Sequence, residues 1–338
     1  MKKIRWAIVG AGGIADKRAI PGLLGDETNE IVAIMDKNPE VAKRIAEKYG
    51  VQNFFDDMDK MFTTVKCDAV YIATPVFCHY EQAMTALKYG CNAFIEKPLA
   101  MNADESEAIV HAFQKAKVQL TVGYMMGYHN LHKKAKSIVK RGGIGQVVSA
   151  RFQFFCWSGD FPGGWRHTKA LGGGGCVMDL AVHCMELYSQ ITGDSIKDVK
   201  SFYDTLTFQY EVEDSASILF RTEKGVIGHV DVNFNVPDEA STSKMELYGT
   251  EGSLVAEGTI GQLEVGKLKF IHVPEVTLDR PRVPQTVKSK ISYGQKKNMY
   301  TKQFAAFDKL LLAGKTSYKN AKKSVEIQRL CDRIYADN

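Results

Sequence analysis

The chain has 338 residues, of which 45% are hydrophobic and 25% charged, with 44 Lys and Arg against 39 Asp and Glu. This length exceeds what one hydrophobic core usually organises, so two domains are expected. The composition excludes disordered and fibrous proteins, and no apolar run reaches the roughly 18–20 residues of a membrane span. The net charge of +5 is too small to indicate nucleic-acid binding.

The seven cysteines are scattered and include no C-x-x-C pair. They therefore predict reduced thiols rather than a disulfide framework. The first residues lead directly into a strand-like segment, so no secretory signal is expected. Both features predict a cytoplasmic protein.

Short apolar runs alternate with helical patterns through the first third of the chain. The runs are residues 4–9, 30–35, 69–73, 92–95 and 119–122. The helical patterns end near residue 24 and then cover residues 39–49, 78–89 and 103–115. This alternation predicts an α/β Rossmann domain, a doubly wound parallel sheet with helices on both faces, over residues 1–123.

Beyond a helix predicted at residues 129–140, the pattern changes to successive strands. They are predicted at residues 147–155, 202–210, 215–221, 226–233, 243–248 and 253–257. A helix at 178–191 interrupts them, and helices at 298–312 and 318–335 end the chain. Residues 124–338 are thus expected to form an α+β domain with a large, mainly antiparallel open sheet.

The first predicted strand ends in a G-x-G-x-x-A string that opens a helix. Its members are Gly10, Gly12, Gly13, Ile14 and Ala15. Small residues allow a sharp turn and close approach of a pyrophosphate, and the helix N-terminus offers N–H groups. Asp36 ends the second strand, where a carboxylate accepts hydrogen bonds from a ribose diol. A 2′-phosphate would meet this carboxylate, so NAD is favoured, with NADP as the alternative because Lys37 is adjacent. A glycine-rich turn without a ligand is the competing interpretation.

Further polar strings lie where ligands bind in open α/β sheets, at the carboxyl ends of strands. They contain Thr74, Pro75 and His79 after one strand and Glu96 and Lys97 after the next. In the second domain, four glycines at 172–175 separate the pair Trp165 and Arg166 from Asp179 and His183. Asp179 and His183 are four residues apart on a predicted helix and so share one face.

These strings, in this order, resemble the Gfo/Idh/MocA oxidoreductase family over essentially the whole chain. The segment 123–129 with the Trp165–Arg166 pair is most similar to the branch that acts on pyranose sugars, which includes 1,5-anhydrofructose reductase. Many relatives carry Arg where this chain has Gly127. The resemblance implies an NAD(P)-dependent enzyme that transfers a hydride between the nicotinamide and a secondary hydroxyl or ketone of a sugar, sugar derivative or polyol.

The resemblance also implies roles for individual residues. Lys97 would contact the nicotinamide ribose and stabilise negative charge on the reacting oxygen. Independently of the resemblance, oxidation of an alcohol requires an acceptor for the hydroxyl proton; His183 is the natural general base, and Asp179 would orient it or bind an adjacent hydroxyl. The remaining cofactor contacts implied are Thr74, Pro75, His79, Glu96, Trp165 and Arg166. Tyr124 would line the substrate pocket with Trp165, and a dimer or tetramer is expected to form through the open sheet.

Several alternatives stay open at this point. A redox-assisted glycosidase that retains NAD and a non-catalytic dinucleotide sensor are the rival functions. Cys176 shares the face of Asp179 and His183, but a fourth ligand for zinc is not evident, so no metal is expected. The glycines at 172–175 would suit either a phosphate or close packing of the backbone.

The excess positive charge lies in residues 267–298, which hold eight basic and two acidic side chains. A solvated connecting loop is the plainer interpretation of this segment. The alternative is an arm, with Arg280 and Arg282, that reaches a neighbouring subunit or attracts an anionic substrate.

Overall fold

The computed structural model describes residues 3–159, 164–273, 287–295 and 298–337. These residues divide into two compact units. The first unit falls within Met1–Tyr124, Ala170–Gly173 and Asn298–Arg329, and the second within Met125–Lys169, Gly174–Lys297 and Leu330–Asn338. The units are therefore discontinuous along the chain, and they do not coincide residue for residue with the expected division into 1–123 and 124–338.

The first unit contains a six-stranded parallel sheet with the order β3-β2-β1-β4-β5-β6. Its strands are β1 (Ile4–Val9), β2 (Asn29–Met35), β3 (Phe54–Phe55), β4 (Ala69–Ile72), β5 (Asn92–Ile95) and β6 (Leu120–Val122). The strand order reverses direction between β1 and β4, so the carboxyl ends of these two strands flank the crevice where such sheets bind ligands. The predicted Rossmann-type α/β fold is confirmed.

Helices connect the strands in both units. In chain order they are α1 (Ile20–Leu24), α2 (Pro39–Tyr49), α3 (Met58–Thr64), α4 (His79–Lys88), α5 (Ala103–Ala116), α6 (Asn130–Lys140), α7 (Lys169–Gly172), α8 (Val182–Thr192), α9 (Met299–Leu312) and α10 (Lys319–Ala336). A π-helical turn leads into α1 at Ala15–Ala19, and another leads into α8 at Val177–Ala181. Side-chain caps explain some helix starts; Asn38, for example, accepts a hydrogen bond from the Glu40 N–H at the start of α2.

Aromatic side chains form the core between the first sheet and α9. The rings of Phe94 and Phe304 lie 4.9 Å apart, and Trp6 packs 5.1 Å from Phe307. The same core buries one short polar chain. The Trp6 indole donates to Asn29 (3.1 Å), whose amide donates to one carboxylate oxygen of Asp308 on α9 (3.0 Å).

The second unit contains an eight-stranded sheet with the order β14-β13-β12-β11-β7-β10-β9-β8. Its strands are β7 (Val147–Phe155), β8 (Ile196–Asp204), β9 (Ser215–Thr222), β10 (Ile227–Asn233), β11 (Lys244–Gly249), β12 (Gly252–Glu257), β13 (Lys267–His272) and β14 (Lys288–Tyr293). Among the described strands of this second sheet only β7 and β10 pair in parallel, so the expected mainly antiparallel sheet is confirmed.

Three local predictions differ from the structure. The strand expected at 202–210 is confirmed only over residues 202–204, because β8 covers Ile196–Asp204 and the Asp214 carboxylate accepts three backbone N–H bonds from the loop 206–208. The strand β3 and the helix α3 were not expected at all. Part of the basic segment 267–298 forms the strands β13 and β14 rather than a connecting loop, and Lys267 pairs with Glu257 at 2.7 Å.

Lys288 and Lys290 lie on β14, the outermost strand, where charge opposes pairing with other chains. Arg280 and Arg282 lie outside the described residues. No helix in the described part of the chain is long and apolar enough to cross a membrane.

Candidate active site

The turn after β1 is shaped for close approach of a ligand. Gly10 has φ +86°, and a Cβ there would lie 2.7 Å from the Thr74 nitrogen, so only glycine fits this turn. Gly12 and Gly13 are exposed, and apart from their chain neighbours and their own helix no atom of the described residues lies within 4 Å of where their Cβ atoms would stand. The half-buried Ile14 follows at the start of the helical segment. The loop thus leaves open space beside a helix N-terminus, as a pyrophosphate requires.

Asp36 follows β2 and holds this loop in place. One carboxylate oxygen accepts a hydrogen bond from the Ala11 N–H (2.9 Å), and the other accepts from the Asn38 N–H (3.0 Å). Each oxygen has a second lone pair, so a ribose diol can still bind. Lys37 is exposed beside it. These residues fit the adenosine half of a nicotinamide dinucleotide.

His79 links the loops that follow β4 and β5. Its two ring nitrogens lie 3.0 Å from the Thr74 carbonyl oxygen and 2.9 Å from the Pro98 carbonyl oxygen. The ring is buried, and this desolvation lowers the pKa of His79. His79 therefore holds the two loops in position relative to each other. Pro75 lies in the first of these loops, between Thr74 and the start of α4 at His79.

Glu96 is also engaged inside the first unit. The Tyr71 hydroxyl donates to its carboxylate at 2.5 Å, and a Cβ on Gly123 would lie 3.0 Å from the same carboxylate. Burial, together with the negative charge of Glu96, raises the pKa of Tyr71. The next residue, Lys97, is only half-buried. Buried contacts of Glu96 thus fix the backbone from which the Lys97 side chain extends.

Tyr124, expected to line a substrate pocket, is buried in the first unit. Its hydroxyl lies 3.3 Å from the Ser324 hydroxyl on α10. The observed contact is therefore with the C-terminal helix.

In the second unit, the predicted Asp179 and His183 lie on one continuous helical segment. Asp179 belongs to the π-helical turn and His183 to the first turn of α8. π-Helical turns are rare in proteins, and those that occur are often found at functional sites. The His183 side chain is 4% exposed and packs edge-on against Phe154, with ring centres 6.2 Å apart.

The pair Trp165 and Arg166 reaches the same helix. The Arg166 guanidinium stacks over the Trp165 ring at 4.2 Å, and its Nε lies 3.7 Å from an Asp179 carboxylate oxygen. Structure thus brings together three of the residues singled out by sequence. A carboxylate beside a guanidinium and, four residues on, an imidazole can bind a polyhydroxylated molecule and accept a proton from it.

Glu213 was missed by sequence reasoning, yet it fixes the start of this helix. One of its carboxylate oxygens accepts hydrogen bonds from the N–H groups of Gly175 (2.9 Å) and Val177 (3.0 Å) and from the Tyr335 hydroxyl (2.7 Å). Its main-chain carbonyl accepts from the Cys176 N–H at 3.1 Å. Burial raises the pKa of Glu213. No local pattern indicates such a contact, because the partners lie 36–38 and 122 residues away in sequence.

This contact explains two of the four glycines at 172–175. A Cβ on Gly174 would stand 1.9 Å from the Tyr335 hydroxyl, and one on Gly175 would stand 2.0 Å from the Glu213 carbonyl oxygen. Close packing therefore requires glycine at both positions, whether or not a phosphate binds nearby.

The space beside Gly127, the position where many relatives have Arg, is also occupied by a neighbouring side chain. A Cβ there would overlap the Gln190 side-chain amide, 1.6 Å from its oxygen. Across the described ranges, no group of three or more His, Cys, Asp or Glu side chains is placed to hold a metal ion. Cys176 is buried, and this desolvation raises the pKa of its thiol well above the ordinary value.

Comparison with known proteins agrees with this architecture. Residues 4–124 match the model of an oxidoreductase family with an NAD-binding Rossmann fold, and residues 132–255 match the GFO/IDH/MocA C-terminal domain. Oxidoreductase P35 of Formosa agariphila is 26% identical over 84% of this chain and 90% of its own length. The 1,5-anhydro-D-fructose reductase of Ensifer adhaerens is 27% identical over 78% of both chains.

A structural relative shares the fold over nearly the full length. Levoglucosan dehydrogenase, in complex with NADH and levoglucosan, superimposes with a TM-score of 0.85 at 21% identity, covering 99% of this chain and 97% of the other. The two matched family models cover both the nucleotide loop and the helix with Asp179 and His183. The chain therefore belongs to the Gfo/Idh/MocA family of NAD(P)-dependent oxidoreductases.

Proposed function

We propose that this protein oxidises a secondary hydroxyl of a sugar, sugar derivative or polyol, or reduces the matching ketone. The observation that carries the proposal is the placement of Asp179 and His183 on one helical segment with Arg166 beside Asp179, in a chain whose first unit has an open dinucleotide loop. A bound nicotinamide dinucleotide supplies or accepts the hydride. The relatives named for activity on 1,5-anhydrofructose and levoglucosan support a cyclic sugar as substrate.

The protein groups handle the proton and the charge. Removing a hydride from an alcohol carbon requires loss of the hydroxyl proton, and we assign its acceptance to the His183 imidazole. Asp179 orients this ring or binds a neighbouring hydroxyl, and the Arg166 guanidinium, 3.7 Å from an Asp179 carboxylate oxygen, limits where that carboxylate points. The Lys97 ammonium stabilises the negative charge that develops on the substrate oxygen.

Binding of the dinucleotide is assigned to the first unit. Gly10, Gly12, Gly13 and Ile14 would hold the pyrophosphate, Asp36 the ribose diol, and Thr74 and Pro75 the segment toward the nicotinamide. His79 and Glu96 would act through the loops they position, as described above. We propose NAD as the preferred cofactor, because Asp36 would repel a 2′-phosphate, with Lys37 offsetting part of that repulsion. Trp165 and Tyr124 are the further candidates for substrate contact.

The test is Lys97→Ala, assayed against a panel of sugars and polyols with NAD and NADP. We expect kcat to fall about 10²- to 10⁴-fold while the Kd for NADH changes by less than about threefold. Lys88→Ala, at an exposed lysine of the same unit that pairs with Asp59, is the matched control and should retain activity. Near-normal turnover by the Lys97 variant would overturn the assignment.

The same assay separates the rival functions. Release of free sugar from a glycoside without net NADH would indicate the redox-assisted glycosidase. NADH binding with no turnover of any substrate would indicate the sensor.

We further propose that the protein forms a homo-oligomer, a dimer or tetramer, through the open face of the eight-stranded sheet. Phe202, Leu219 and Ile227 expose 86%, 52% and 51% of their surface on this face. On the same face, Arg151 and Glu246 lie opposite each other on adjacent strands, so the face offers apolar contact and paired charge to a second copy. Leu219→Lys should lower the mass measured by light scattering, whereas Leu312→Lys, at an exposed leucine of α9, should not. A monomeric wild-type protein would contradict this proposal.

A cytoplasmic location is proposed on the seven free cysteines. Cell fractionation with a tagged full chain tests it, and recovery from the membrane or secreted fraction would contradict it.

A further inference from the structure

Two cysteines lie close together at the amino ends of β4 and β5, the end of the first sheet that is opposite the nucleotide loop. Cys67 stands two residues before β4, and Cys91 stands immediately before β5. These strands are parallel neighbours with Ala69 opposite Asn92. The two sulfur atoms are 3.5 Å apart. A disulfide bond is about 2.05 Å long, so side-chain rotations that bring the two sulfur atoms about 1.5 Å closer would join them.

The surroundings of the two thiols differ. Cys67 is partly exposed, whereas Cys91 is buried. A hydrogen bond from the Cys91 thiol lowers the pKa of Cys67 and outweighs burial and the Asp68 carboxylate, which act in the opposite direction; the Arg5 guanidinium adds to the lowering. The hydrogen bond to Cys67 and burial raise the pKa of Cys91. The partly exposed Cys67 sulfur therefore ionises more readily than the buried Cys91 sulfur.

We propose that Cys67 and Cys91 are an oxidisable dithiol that a peroxide closes reversibly to a disulfide. The Cys67 thiolate attacks a peroxide oxygen, so that an S–O bond forms, the O–O bond breaks, and the leaving hydroxide is protonated to water. The Cys91 sulfur then attacks the Cys67 sulfenic acid, forming the S–S bond and releasing a second water. In total the two thiols lose two electrons and two protons, and hydrogen peroxide is reduced to two waters. A dithiol reductant reverses the change by thiol–disulfide exchange.

The position of the pair decides what the disulfide does. Gly10, Thr74 and Lys97 all follow the carboxyl ends of strands, while Cys67 and Cys91 precede the amino ends. The four residues of β4 span about 13 Å, so the bond would form at the opposite ends of the strands from these residues. The bond would close a loop containing β4 and α4, which restricts the unfolded chain. Oxidation is therefore expected to stabilise the first unit without blocking dinucleotide binding.

The experiment treats the reduced full-length protein with hydrogen peroxide, blocks free thiols and maps peptides by mass spectrometry. We expect a peptide pair joined through Cys67 and Cys91 with the loss of two hydrogens, separated again by dithiothreitol. Cys67→Ser should abolish the link. Cys91→Ser should leave a Cys67 sulfenic acid that a 1,3-dione probe traps. Cys156→Ser, at a partly exposed cysteine of the second unit, is the control and should keep the link.

Two further measurements complete the test. The oxidised protein should unfold at a temperature higher by on the order of 5 °C and should bind NADH with an unchanged Kd. Separate Cys67 and Cys91 peptides after peroxide treatment that oxidises Cys156 would overturn the proposal. So would a bond from Cys67 to another molecule, or a lower unfolding temperature on oxidation. Failure of the sugar oxidoreductase assignment would leave these outcomes unaffected, since none depends on turnover.

Discussion

The buried carboxyl group of Asp308 should make the stability of the first unit depend on pH. Asp308 is 3% exposed, and one of its oxygens accepts a hydrogen bond from Asn29. The other oxygen has no hydrogen-bond partner among the described residues. Burial raises the pKa of Asp308 from 3.8 to about 6, because a charged carboxylate is poorly solvated there. Replacing it by asparagine removes the charge while keeping an acceptor for Asn29.

The sign and size follow from proton linkage. A raised pKa means that the folded state binds more protons than the unfolded state, so the free energy of unfolding falls as pH rises. The fall begins near pH 3.8 and is complete above about pH 6. The full effect corresponds to about 3 kcal/mol. Of this effect, about 2 kcal/mol of the free energy of unfolding is lost between pH 4.5 and pH 8. Asp308→Asn should escape it, although its unpaired amide group costs about 1–3 kcal/mol at every pH.

The measurement is urea-induced unfolding of wild type and Asp308→Asn at several pH values. The stability of the variant relative to wild type should rise by about 2 kcal/mol between pH 4.5 and pH 8. Asp59→Asn is the control. Asp59 is exposed, and its hydrogen bond from Lys88 lowers its pKa, so this substitution should give a weak trend of opposite sign. A relative stability of Asp308→Asn that does not change with pH would refute the reasoning.

Two further substitutions test the assigned roles of Glu213 and Asp36. Glu213→Ala leaves two buried N–H donors, of Gly175 and Val177, and the half-buried Tyr335 hydroxyl without their acceptor, and should cost about 3–5 kcal/mol of stability and lower kcat. Glu213→Gln keeps an acceptor oxygen and should recover most of both, as read by thermal unfolding and steady-state kinetics; equal losses in both variants would contradict the role. Asp36→Ser should shift the ratio of kcat/KM for NADP over NAD upward by about tenfold or more, since a carboxylate–phosphate repulsion of about 1–4 kcal/mol is removed. An unchanged ratio would show that Asp36 does not contact the ribose.

Much of the fold could be predicted from local sequence periodicity. The bounds of α2, β5 and β7 agree residue for residue with the pattern, because α2 buries one face at the helical period and β5 is a short continuous apolar run, as expected of a strand buried on both faces. The strand expected at 202–210 failed beyond residue 204 for a physical reason. Its aromatic residues suit a strand, but the Asp214 carboxylate draws the backbone of 206–208 into a loop.

The candidate site was predictable to the extent that its residues form compact strings. Gly10 and Asp36 could be recognised from their positions at the ends of the first two strands. In the structure, Gly10 lies against Thr74, and Asp36 accepts a hydrogen bond from the Ala11 N–H. The carboxylate of Glu96 and the ring of His79 have buried partners within the fold, Tyr71 and two loop carbonyls. Sequence places such residues near a site without showing which way the side chain turns.

The helix with Asp179 and His183 shows why a remote contact can govern a local motif. Its first N–H groups would otherwise need water or a ligand, and Glu213 satisfies three consecutive residues from 175 to 177. That arrangement requires Gly175 to lie against the Glu213 backbone and Gly174 to lie against Tyr335. The glycine run, the buried glutamate and the C-terminal tyrosine are thus parts of one contact. A change at any of them would move the backbone that leads to Asp179, so variation at these distant positions should alter activity even where no atom touches substrate.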